Sequence, residues 1–116
     1  MESLKQLFSS IRTKSTVISP QEANQRMNES DEYVLLDVRT PTEYKQVRIN
    51  GAKLIPVNEL GSRAHAELPD KHMPILVYCQ SGARADTAIK ILTRMGYKNI
   101  ISFGGILNWP YETVKG

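Results

Sequence analysis

The chain has 116 residues, 41% of them hydrophobic and 23% charged, with a formal net charge of +3. That length fits one domain able to bury a core, and the composition is ordinary for a globular protein. One cysteine excludes an internal disulfide and a cysteine-based metal cluster; the mild charge, with no Lys/Arg cluster, points away from nucleic acid, and no apolar run approaches membrane-spanning length.

Leu4, Leu7, Phe8 and Ile11 fall at i, i+3, i+4 and i+7. This spacing predicts a short amphipathic helix within an N-terminal extension, residues 1–15, that is too short and broken for a secretory signal. Packing on the domain, a membrane surface, a dimer contact and targeting all remain open for it. Residues 16–116 are read as the domain proper. Thr16-Val17-Ile18 reads as a first strand. Ser19-Pro20-Gln21-Glu22 carries a helix-start signature: a capping serine, then proline, then glutamate three after the cap. That helix runs to about Met27 or Asn28. Tyr33 to Asp37 is a short apolar run, hence a buried strand.

Thr40-Pro41-Thr42-Glu43 repeats the helix-start signature, and a short helix follows through about Gln46. A third strand lies within Ala52 to Val57. Asn58 is a candidate cap for a helix holding Leu60, Ala64 and Leu68. Ile75 to Tyr78 is a fourth strand. Ala85, Ala88, Ile89 and Leu92 then mark one face of a helix that Gly96 stops. Ile100 to Phe103 is a fifth strand, Gly104-Gly105 turns the chain, and a short terminal helix carries Trp109, read as core. Strands alternating with helices imply an α/β fold with a mostly parallel sheet covered on both faces. His65 and His72 share no ligand spacing with each other or with Cys79, and are read as surface or loop residues.

The chemistry concentrates at Cys79. It ends the fourth strand, and Gln80-Ser81-Gly82-Ala83-Arg84 leads directly into a helix. A loop that opens a helix carries backbone N–H groups with no intrahelical partner and partial positive charge. Such a loop cradles anions and favours a thiolate at its mouth. Gly82 lets the loop curve with its amides inward, and Arg84 is placed to pair with an oxyanion or to hold the loop. A lone cysteine after an apolar strand is more often a buried hydrophobe. Its place at the carboxyl end of a strand, where ligands bind in open α/β sheets, favours the functional alternative.

Cys79-Gln80-Ser81-Gly82-Ala83-Arg84-Ala85 resembles the active-site loop of rhodanese-type sulfurtransferases. Leu36-Asp37-Val38-Arg39-Thr40-Pro41-Thr42-Glu43-Tyr44 resembles the family's Asp-Val-Arg…Glu-Tyr/Phe segment. Ile49-Asn50-Gly51-Ala52-Lys53-Leu54-Ile55-Pro56 resembles its Ile-Pro-Gly-Ala…Ile-Pro segment, and Gly104-Gly105-Ile106-Leu107-Asn108-Trp109 its closing Gly-Gly…Trp segment. The motifs occur in the family's order, over about Val17 to Trp109. Val47-Arg48 stands where many members carry Gly-His, and Asn50 where they carry proline.

The resemblance implies a three-layer α/β/α domain with a five-stranded sheet in the order 3-2-4-5-1. It implies that Cys79 takes a sulfane sulfur from an anionic donor, such as thiosulfate or a persulfide, and passes it as a persulfide to cyanide or a thiol. Gln80, Ser81, Gly82, Ala83 and Arg84 would form the substrate-binding loop, with Asp37, Arg39 and Glu43 in support beneath it, Asp37 or Glu43 holding an arginine; the alternative for Asp37 and Arg39 is a structural ion pair at the strand end. No metal or other cofactor is expected. The expected partners are a small anionic donor and a thiol or protein acceptor; the expected state is a monomer or weak dimer in the cytoplasm.

Two other function classes remain open. Cysteine phosphatases, and arsenate reductases of this fold, place arginine after five intervening residues; here four separate Cys79 from Arg84, and position 85 is alanine. A non-catalytic binding or persulfide-relay module is the other alternative.

Overall fold

Every strand pair in the sheet is parallel, and the cysteine strand lies at its centre. The computed structural model describes residues 14–116, so the amphipathic stretch through Leu4, Leu7, Phe8 and Ile11 lies outside the described residues. The elements are β1 (Lys14–Val17), α1 (Pro20–Glu29), β2 (Val34–Asp37), α2 (Pro41–Gln46), β3 (Lys53–Leu54), α3 (Leu60–Glu67), β4 (Ile75–Cys79), α4 (Ala83–Arg94) and β5 (Asn99–Gly105). The sheet order is β1-β5-β4-β2-β3, which is the expected 3-2-4-5-1 read from the other edge.

Alternation along the strands sends side chains to opposite faces, and two cores result. Leu36, Ile75, Val77, Cys79 and Ile100 pack with Leu60, Ala64, Ala85, Ala88 and Leu92 beneath α3 and α4. Leu35, Leu76, Tyr78, Ile101 and Phe103 pack with Ala23 of α1, and Tyr44 of α2 joins them. The sheet is therefore sandwiched between helical layers, because strands buried on both faces are near-continuously apolar.

Local chemistry explains where the helices begin. Ser19 Oγ accepts from the Glu22 amide at 3.0 Å. Thr40 and Glu43 form a reciprocal capping box at the start of α2. Met95 caps the end of α4, and Gly96 follows with φ +94°.

The expected elements needed five adjustments. β1 starts two residues earlier than Thr16. The third strand shrinks to Lys53–Leu54, because only Leu36 and Asp37 lie opposite it. Asn58 is not a helix cap: it sits inside a 3-10 turn, Val57–Glu59, that leads into α3 without a capping side chain. β5 is longer than expected and runs through both glycines, since a register shift at Val77/Cys79 brings Gly105 opposite Cys79. Trp109 follows a 3-10 turn, Ile106–Asn108, rather than an α-helix. It is half-buried against Phe103, with ring centres 5.4 Å apart. Both histidines are exposed. No helix among the described residues is long and apolar enough to cross a membrane.

Candidate active site

β4 delivers Cys79 to the carboxyl edge of the sheet, and the backbone then curls around its sulfur. Gly82 adopts φ +119°, a conformation that side chains disfavour. This turns its amide onto Cys79 Sγ at 3.0 Å, and the Ala85 amide reaches the same sulfur at 3.3 Å. Ala85 is the third residue of α4, so its N–H belongs to the unsatisfied first turn. The amides of Ser81, Ala83 and Arg84 have no acceptor among the described residues. The sulfur thus sits in a ring of N–H dipoles that favours negative charge upon it. The cysteine is 1% exposed, so a partner must reach it through the mouth of this ring. Ser81 and Ala83 are exposed on the rim.

Two ion pairs hold the ring. Arg84 forks onto Glu43 of α2, with Nη1 and Nη2 donating to the two carboxylate oxygens at 2.7 and 2.8 Å. Between the two roles expected for Arg84, this contact holds the loop. Hydrogen bonding from Arg84 is the largest influence on the Glu43 carboxyl; with help from Thr40 it outweighs burial and holds the carboxyl down to about 2.

The second pair lies under the loop. Asp37 and Arg39 are 0% and 1% exposed. Arg39 Nη2 donates to Asp37 at 2.8 Å, and Nε contacts both oxygens at 3.1 Å. The rest of the guanidinium reaches Gln80 Oε1 at 3.1 Å and the Val47 carbonyl at 2.6 Å. Every guanidinium nitrogen of Arg39 is therefore used, as a buried cation requires. Tyr78 lies beside this pair; burial is the main cause that pushes its phenol up, and the charge of Asp37 adds to it.

The structure brings together all nine residues expected at the site, by three routes. Cys79 and its loop come directly from β4. Arg39 couples Asp37 to Gln80, and Glu43 couples α2 to Arg84. The Val47-Arg48 stretch has a structural use: Val47 offers its carbonyl to Arg39, and Arg48 stacks on Tyr44 with its guanidinium carbon 4.6 Å from the ring centre.

One contributor was not expected. Gly105 packs directly under the loop, and a Cβ there would fall 2.1 Å from the Gln80 carbonyl oxygen and 2.7 Å from Ser81 Cα. The next turn closes the seat, for Leu107 N–H donates to the Gln80 carbonyl at 3.2 Å. The Gly104-Gly105 pair was visible as a turn, but nothing local revealed that the cysteine loop would lie against it.

Comparisons with known proteins identify the family. The family model described as Rhodanese-like domain matches residues 19–111. The chain is 37% identical over 81 residues to the thiosulfate sulfurtransferase PspE of Escherichia coli (strain K12), covering 70% of this chain and 78% of that protein. It is 33% identical over 93 residues to a sulfurtransferase of Allochromatium vinosum, covering 79% of this chain and 85% of the relative. A solved structure described as a rhodanese with anions from E. coli superposes with a TM-score of 0.68 at 36% identity. That match covers 72% of this chain and 99% of the other.

Proposed function

Because this chain belongs to the rhodanese-like domain family, we propose that it is a sulfurtransferase in which Cys79 carries a sulfane sulfur between an anionic donor and a thiophilic acceptor. With thiosulfate, the Cys79 thiolate attacks the outer sulfur. The bond between the two donor sulfurs breaks, and its electron pair leaves with sulfite. Cys79 then holds a persulfide, whose outer sulfur passes to cyanide or a thiol and regenerates the thiolate. This is covalent catalysis in two half-reactions, with ping-pong kinetics. The persulfide is the carrier, so the reaction needs no cofactor.

One observation carries this reading: Cys79 Sγ receives two backbone N–H groups, from Gly82 and Ala85. These donors stabilise a thiolate, and they remain in place for the persulfide. The amides of Ser81, Ala83 and Arg84 are left for charge that develops on the leaving group. The thiolate, not the thiol, is the attacking form of a cysteine. Arg84 and Arg39 hold the ring through Glu43 and Asp37.

The test is intact-protein mass after incubation with thiosulfate, for wild type beside Cys79→Ser. The expected result is a gain of about 32 daltons, one sulfur, that cyanide removes and that the serine variant lacks. A folded wild-type protein with a free thiol that gains no sulfur from thiosulfate or from a persulfide would overturn the proposal and leave a binding module.

A further inference from the structure

The edge of the sheet opposite Cys79 carries a groove that the sulfur chemistry does not use. Leu76 and Ile101 lie opposite each other on β4 and β5 and form its floor on the α1 side. Half-buried Tyr33 and Pro74 wall it, and Asn99, where β5 begins, lies at its end. Its volume is about 230 Å³, below the roughly 300–1,000 Å³ of pockets that enclose a small molecule. It suits the apolar side chains of a polypeptide segment instead. The rim is acidic. Glu29 and Glu32 both line the groove, and neither has an ion pair among the described residues. Arg26, on the same rim, is already paired with Glu22 at 2.8 Å.

Chain connectivity brings one such segment to this place. Lys14, the first residue of β1, is in register with Asn99, and neighbouring strands lie about 5 Å apart. Each step along the chain spans at most about 3.6 Å, so Ile11 stays within about 11 Å of Lys14 whatever conformation residues 1–13 adopt. Leu4, Leu7, Phe8 and Ile11 form the apolar stripe that the sequence predicts there, and the same stretch carries Lys5 and Arg12 against Glu2. A helix this short is marginal in water and draws its stability from a surface that takes its apolar face. The tether also makes docking intramolecular, so a contact of modest strength suffices.

We propose that residues 1–13 dock on their own domain, with Phe8 and Ile11 seated in the groove formed by Tyr33, Pro74, Leu76 and Ile101, and with Lys5 and Arg12 facing Glu29 and Glu32. An apolar stripe then meets an apolar floor, and basic side chains meet an acidic rim. Docking closes the amino edge of the sheet and withholds the stripe from a membrane surface or a second copy. It is independent of what Cys79 transfers.

The test uses the full chain. Hydrogen exchange followed by mass spectrometry reads the amides of residues 4–11 in wild type and in Ile11→Ser. In wild type they should exchange about tenfold or more slowly than in the free peptide of the same sequence, the effect expected of burying one isoleucine. Ile11→Ser should lose most of that protection, and dilution of the wild-type protein should leave it unchanged. Phe8→benzoylphenylalanine, a photo-crosslinking variant, locates the seat: crosslinks should fall within one chain, on peptides that contain Tyr33, Pro74 or Asn99. Exchange at the free-peptide rate, protection that falls on dilution, crosslinks between isotopically light and heavy copies, or crosslinks elsewhere on the domain would each overturn the proposal.

Discussion

Glu43 and Arg84, forty-one positions apart in the chain, close on each other through two hydrogen bonds of 2.7 and 2.8 Å. The contact ties the first turn of α2 to the first turn of α4. It makes the shape of the cysteine ring depend on a helix that contributes nothing else to it. Replacing Glu43 with glutamine keeps the size of the side chain and removes the charge. Glu43→Gln should lower stability by about 1 kcal/mol, as for a partly exposed pair of good geometry. Denaturant unfolding measures this, and an unchanged midpoint would show that the pair is idle.

The same pair sets a pH dependence. The folded Glu43 carboxyl lies at about 2, below its ordinary 4.5, chiefly because of Arg84. A depressed carboxylate contributes stability that is fully present above the unfolded value and is lost as pH falls through the folded one. The difference in stability between wild type and Glu43→Gln should therefore be constant above about pH 5 and shrink from there toward pH 2. Urea unfolding of both proteins across that range would reveal a parallel fall instead if other carboxylates dominate.

Asp37 and Arg39 predict a sharper loss. Removing one partner of a buried ion pair strands the other charge and costs about 3–5 kcal/mol. Asp37→Ala should show that loss in guanidinium unfolding. Asp37→Ala combined with Arg39→Leu should regain part of it, because no unpaired charge remains. Sulfur loading should stay impaired in the double variant, since Gln80 would lose its Arg39 contact.

Two glycines of the site should fail for different reasons. A Cβ at Gly82 would meet nothing closer than 3.8 Å, yet φ is +119°, so Gly82→Ala costs backbone strain of about 1–2 kcal/mol. Gly105 has φ −136°, which any residue adopts, but its Cβ would collide with the Gln80 carbonyl. Gly105→Ala must push the loop off its seat. A shift of about 1 Å there should slow sulfur loading on the order of a hundredfold. Loading rates and melting temperatures of the two variants, measured side by side, separate strain from displacement. A Gly105→Ala protein that loads at the wild-type rate would refute the seating role.

Much of this was legible from the sequence because it is locally encoded. Ser19 and Thr40 announce their helices through capping chemistry that spans four residues, and the apolar runs of β2 and β4 are too short to be anything but buried strands. The cysteine loop declares itself through one glycine and the helix that follows. Glu43 was placed near an arginine by resemblance, but local pattern could not say which. An Asp37–Arg39 ion pair at the strand end was among the readings of the sequence, and the structure forms it; only the fold assigns Arg84 to Glu43. Gly105 was opaque for the same reason. Its tight contact is with Gln80, which reaches it through a change in strand register that no local pattern records. Asn58 misled because asparagine favours caps wherever a helix follows, whereas here a 3-10 turn intervenes.

The seat on β5 also orders events in time. During synthesis Cys79 is made before Gly105 and Leu107, the residues against which its loop rests. β5 is also the strand that joins β1 to the rest of the sheet. Until it docks, the loop has no floor and the sulfur no fixed ring of donors. Docking of the final strand therefore completes the support of the cysteine loop.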